Sequence, residues 1–237
     1  MELELKRGGR TARVETLGGE LVSYRDERGL EYIWGGDPAY WPGRNPLLFP
    51  IVGMLKEGKI RFDGREYAME RHGFARRREF TPAARGEDWV RLELRESAET
   101  LALYPYSFRL AVEQRLTDTG FSTAVTVANP GEGPLPFCLG AHTGFRCPLE
   151  AGERFEDYEL VFPERESCPT LLLRDGLLDR PAALPCLEDT DTLPLDYRWF
   201  DALDTLIFEG LRSRSVALRS RKSGSGVRVS FDGFPML

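Results

Sequence analysis

The chain has only two histidines, His72 in "MERHGFARRREF" and His142 in "CLGAHTGFRC", and both lie beside small residues. Gly73 follows the first, and Gly140, Ala141 and Gly144 surround the second. Glycine in or beside a strand weakens it, so it marks places where another group, a ligand included, approaches the backbone closely. Imidazole titrates near neutrality and serves as a general acid or base without large tuning. Two such imidazoles in the same setting predict a proton-transfer or ligand-holding site. The competing reading, a satisfied histidine in a turn or core, applies to each one separately.

Two further stretches could join them. In "RNPLLFPIVGML", Arg44 and Asn45 stand on a segment stiffened by Pro46 and Pro50, where an Arg-Asn pair can donate to hydroxyls or a carboxylate. In "FARRREF", Arg76, Arg77 and Arg78 could hold a phosphate or sulfate; as a strand, Arg76 and Arg78 would share one face. Trp34, Tyr40, Trp41, Phe74 and Phe145 flank these motifs. Sugar rings present apolar faces that pack on aromatic rings, so one or two of the five are expected in a cleft and the rest in the core.

Cys138 and Cys147 bracket His142, which suggests a metal or redox site, but the spacing is not that of common zinc sites and a fourth ligand is lacking. With Cys168 and Cys186 the chain has four cysteines and no C-x-x-C, which predicts reduced, mostly buried thiols and no metal or other cofactor.

The elements that must position these residues read as strands. "ELELKRGGRTARVETLGGELVSYRDERGLEYIW" alternates apolar and polar residues between glycine breaks. Asp63-Gly64 in "KIRFDGREYAM" is a hairpin turn, and "FRLAVEQRL-TDTG-FSTAVTVAN" and "SVALRS-RKSGSG-VRVSF" are further hairpins. No segment of ten or more residues has a helical period, so the expected class is all-β, with antiparallel sheets packed face to face or wrapped into a barrel. Residues 163 to 200, rich in Pro, Asp and Leu, read as an excursion with short strands at most.

Composition narrows the function classes. The chain has 237 residues, 41% of them hydrophobic, and a net charge of -6, so it can bury a core while its field repels nucleic acid and anionic membranes. No signal peptide or membrane span is evident, and the expected location is cytoplasmic. The apolar ending "FPML" after a strand suggests that a further strand would follow.

Taken in order, "EYIWGGDPAYWPGRNPLLFPIVGML", "YAMERHGFARRREF", "ALYPYSFRL", "NPGEGPLPFCLGAHTGFRCPL", "FEDYEL" and "DTLIFEGLRSRSVALRS" resemble the aldose 1-epimerase (galactose mutarotase-like) superfamily, specifically its LacX-like branch. The resemblance spans nearly the whole chain. It implies one large antiparallel β-sandwich domain over 1–237, short of its C-terminal strand or strands, with a sugar cleft on a curved sheet. It also implies interconversion of the α and β anomers of an aldose. A histidine protonates the ring oxygen, a glutamate takes the anomeric proton, and the ring opens, rotates and recloses. Residue by residue, His142 matches the acid, His72 the second histidine that holds the sugar, and Arg44 the arginine of the cleft. Asp204 in "DTLIF" matches an aspartate found at that point, and Arg76 matches the arginine of the HGFAR motif, suited to anion or hydroxyl contact. No metal is required.

Two features depart from the family pattern. After the acid the family has Pro and a small residue, whereas this chain has Thr143-Gly144. The family's glutamate is expected beyond the segment matching "FDGFPML", with Asp204 or Glu209 as internal substitutes. The alternatives are a non-catalytic carbohydrate-binding or sensing protein, and a mutarotase for a phosphorylated hexose.

Overall fold

A computed structural model of the chain describes residues 1–180 and 183–237. It falls into two compact units, Met1–Arg146 and Cys147–Leu237.

The first unit begins with β1 (Glu2–Arg7), β2 (Arg10–Glu15) and β3 (Glu20–Arg25), an antiparallel sheet in that order. Gly8 and Gly9, both at positive φ, turn the first hairpin between Arg7 and its partner Arg10. After a long loop come β4 (Leu47–Leu48), and then β5 (Lys59–Phe62) and β6 (Arg65–Ala68), joined by Asp63 and Gly64 at φ 47° and 78°. That is the two-residue turn expected for Asp-Gly. Strands β7 (Thr81–Arg85), β8 (Trp89–Arg95), β9 (Arg109–Leu116) and β10 (Phe121–Ala128) form a second sheet, with β7 and β10 at its edges. The helix α1 (Ala98–Leu101) links β8 to β9, and β11 (Gly140–Ala141) returns to pair antiparallel with β4.

Period-two alternation gives each main sheet one apolar face. Leu3, Leu5, Val14 and Leu21 of the first sheet share one buried cluster with Val90, Leu92, Leu110 and Val112 of the second. Buried Gln114 spans the two layers, its Nε2 donating to the Gly19 carbonyl at 2.9 Å.

The second unit is built on β12 (Tyr158–Arg174) and β13 (Leu177–Pro194), with β14 (Ser215–Ser220) pairing β12 and β15 (Gly226–Ser230) at the edge. The expectation of short strands at most over 163 to 200 is therefore corrected: this region is mainly a long hairpin followed by α2 (Tyr197–Leu203). The ladder shifts register between Val161 and Glu166, around Pro169, and again beyond Leu171. Those bulges take up Pro163 and Pro169, which cannot donate to a ladder, and they erase the alternation a regular strand would show. The turn at Asp175-Gly176, φ 53° and 76°, carries the same Asp-Gly signal as the shorter hairpin. Its core gathers Phe162, Leu187, Leu193, Phe208, Val216 and Phe231. The all-β class stands, and among the described residues no helix is long and apolar enough to cross a membrane.

One buried charge organises this unit. Glu166, 1% exposed, accepts the backbone N–H groups of Arg212 at 3.0 Å and Ser213 at 2.7 Å. Burial alone would raise its carboxyl, but these donors outweigh it and hold it below the ordinary range. Glu166→Ala leaves both donors without their acceptor, that of Ser213 buried. It is expected to cost about 2–4 kcal/mol of stability in urea denaturation at pH 7.

Candidate functional site

The two histidines come together because one rigid segment holds both of their loops. Arg44 and Asn45 donate their backbone N–H groups to Oε1 of Glu20 at 2.8 and 2.5 Å, which pins the segment to the start of β3. From there it is laced to the 140–144 stretch: His142 N–H donates to the Pro46 carbonyl at 3.1 Å and Gly144 N–H to the Arg44 carbonyl at 2.6 Å. Thr143 Oγ1 closes the set on Asn45 Oδ1 at 2.5 Å.

On its other side the segment carries the 69–75 turn. The Phe49 carbonyl accepts from Phe74 at 3.0 Å and Ala75 at 3.2 Å, and the path leaves no room for a side chain at position 73, whose Cβ would overlap that carbonyl. His72 stands at φ 68°, an uncommon backbone for a non-glycine residue. It is held there by its own N–H on the Gly53 carbonyl at 2.8 Å and by the Gly53 N–H on its Nδ1 at 3.0 Å.

The imidazole centroids of His72 and His142 are 6.2 Å apart, and the Trp41 ring lies 5.0 Å from that of His142. The two imidazoles have different surroundings: His72 is half-buried and His142 exposed. Burial first, then the charges of Arg71 and Arg76, push His72 down to about 4, so it is neutral at pH 7. With Nδ1 accepting from Gly53, the proton of the neutral ring sits on Nε2, leaving one N–H donor.

Arg44 donates from Nε to the Gly35 carbonyl at 3.3 Å, with Glu15 3.9 Å from its Nη1. Arg76 lies in a 3-10 turn, Ala75–Arg77, not a strand, so the pairing of Arg76 and Arg78 on one strand face is corrected. Its neighbours turn outward, Arg77 to Glu70 and Arg78 to Glu99. Arg76 itself donates from Nη2 to the Arg71 carbonyl at 2.9 Å, while its buried Nε has no partner among the described residues. Asp204 belongs to the second unit, where it ends α2 at φ 63° with its N–H on the Phe200 carbonyl.

All four cysteines are free, but only Cys168 is buried and Cys138 is exposed, which corrects the expectation of mostly buried thiols. Cys138 lies on an irregular approach to β11, its N–H on the Pro50 carbonyl, outside any packed sheet face. Among the described residues no group of three His, Cys, Asp or Glu side chains is placed to hold a metal ion. Of the five flanking aromatics, Phe74 is buried in the core, Phe145 packs against it, and Trp41 meets His142. Sequence reasoning missed Glu20, which fixes the Arg44 loop, because a lone glutamate opening a strand carries no signal.

His72 makes the stability of the chain depend on pH. An unfolded histidine protonates near 6.5, whereas the folded one resists charging until about 4. Between those values the unfolded state binds the extra proton, so this contribution is lost as pH falls from 6.5 to 4. His72→Asn tolerates positive φ and keeps an acceptor for Gly53 while removing the titration. Urea denaturation at pH 7 and pH 4.5 is expected to show wild type losing more stability than His72→Asn.

The chain as a whole is similar to known proteins. The family model for aldose 1-epimerase matches residues 1–230. The plasmid-encoded and chromosomal LacX proteins of Lactococcus lactis subsp. lactis are each 43% identical over 245 aligned positions, covering all of this chain and 82% of theirs. A galactose mutarotase related enzyme from Lactobacillus acidophilus superposes with a TM-score of 0.94 at 27% identity, over the whole of this chain and 79% of its own. A galactose mutarotase-like protein from Lactobacillus casei ATCC 334 gives 0.87 at 29% identity, over the whole of this chain and 81% of its own. The fold is the galactose mutarotase-like sandwich, and the chain belongs to the aldose 1-epimerase family.

Proposed function

We propose that the protein is a mutarotase that interconverts the α and β anomers of an aldose, with His142 as the general acid. The observation that carries this reading is the pair of imidazoles, 6.2 Å apart, of which one is solvent-open and the other held neutral. A pyranose ring oxygen is weakly basic, so ring opening needs a proton delivered as the C1–O5 bond breaks. The exposed His142 gives that proton and takes it back when the aldehyde has rotated and the ring recloses. Neutral His72 cannot compete as a proton source at pH 7, and its Nε2–H serves as a directed donor to a sugar hydroxyl.

Arg44 adds a sugar contact in this reading, with Arg76, whose charge acts on His72, as a further contact. The reaction also requires a carboxylate to take the anomeric proton, which the family supplies as a glutamate. Equilibration of a pure anomer followed by polarimetry is expected to slow by about a hundred- to ten-thousand-fold in His142→Ala, towards the uncatalysed rate. Equal rates would sink the assignment.

A second reading, mutarotation of a phosphorylated hexose, draws on Arg76, a half-buried arginine whose Nε is buried with no partner among the described residues. Burial first, then Arg77, lowers its affinity for its own proton, a cost that an anionic partner would offset. If this reading is correct, wild type prefers the phosphorylated sugar in kcat/KM and Arg76→Ala loses that preference. No preference in wild type excludes it.

A further inference from the structure

Acids in enzyme sites are usually oriented by a hydrogen bond to a third group. Within the first unit, no described residue hydrogen-bonds the imidazole of His142; only its backbone is tied, to Pro46. Its ring neighbours are His72 at 6.2 Å and, closer, Trp41 at 5.0 Å with the planes inclined by 51°.

Trp41 is itself held in place. Its N–H donates to the Asp37 carbonyl at 2.8 Å, and its own carbonyl accepts from Trp34 Nε1 at 2.8 Å. Its six-membered ring lies between two glycines: a Cβ on Gly43 would come within 2.7 Å of Cζ2 and one on Gly144 within 2.6 Å of Cζ3. No bulkier residue fits at either position without moving the indole. Gly144 is half of the Thr143-Gly144 pair that departs from the family pattern, and the other half anchors the loop through Asn45.

We propose that Trp41 is the positioning residue for the His142 acid, its indole fixing the imidazole plane. This rests on the mutarotase reading for its catalytic consequence, but the ring contact has a readout of its own. In the first unit, the elements packed around His142 also carry His72, Glu70, Arg71 and Arg76 of the 69–75 turn, Arg44, and Cys138. A change at position 41 leaves all of them in the chain.

Trp41→Phe and Trp41→Leu both keep apolar bulk in the slot, but only Phe keeps a π face. In Trp41→Leu, kcat is expected to fall by about tenfold or more with KM within about twofold. The NMR signals of the His142 ring protons, which an aromatic ring 5.0 Å away displaces, are expected to shift. Trp41→Phe is expected to restore both. Leu and Phe variants that match each other in kcat and ring-proton shift would overturn the proposal, as would an effect confined to KM, which would make Trp41 a sugar contact. With only two histidines, the ring signals are readable without turnover. A shift difference in a chain that equilibrates no sugar would uphold the ring contact and reject the mutarotase reading.

Discussion

Residues 44–50 can hold two loops at once because Gly73 has no side chain. The Phe49 carbonyl accepts two N–H groups from the 69–75 turn across a gap that a single Cβ would close. On the same segment, the Arg44 and Pro46 carbonyls receive the backbone of the 140–144 stretch. Separating the turn from Phe49 would leave buried donors unpaired and carry His72 away from His142. The 6.2 Å between the imidazoles thus follows from backbone hydrogen bonding rather than from any bond between the side chains.

The regular sheets and the site divide the work. Alternating strands bury Leu, Val and Phe and set a rigid platform, while the site residues lie on irregular backbone beside it. His72 shows what this costs. A left-handed conformation is unfavourable for a residue with a Cβ, and two hydrogen bonds with Gly53 offset it. One of those bonds also sets the tautomer, so the interaction that stabilises the backbone decides which nitrogen can donate to a ligand.

Much of the fold was legible because the turns were explicit. Asp63-Gly64 named the β5–β6 hairpin, and the alternation within β9 named its buried face. The long β12–β13 ribbon was not legible, although Asp175-Gly176 marked its tip, because bulges around Pro163 and Pro169 broke the period on which strand recognition depends. At the site, the glycine neighbours drew attention to both histidines. They said nothing of distance, since His72 and His142 meet only through the intervening 44–50 segment. The arginine run misled for a related reason: three charges in a row fit a strand or a single tight turn equally well, and the Phe49 carbonyl selects the turn.

Trp41 carries this one step further. Its slot is made by Gly43, two residues away, and Gly144, a hundred residues on, so neither glycine has a local reason visible in the chain. A glycine after a histidine reads as a loosened loop. In the fold the opposite holds: the space that Gly144 leaves is filled by an indole that is hydrogen-bonded at both backbone ends of its own residue. The loop gains rigidity from a residue that lacks a side chain, because the missing atoms let a larger ring close over it. The same Thr143-Gly144 pair therefore departs in sequence from the pattern the resemblance implies while its loop stays held, with Thr143 tied to Asn45 on one side and Trp41 seated against Gly144 on the other.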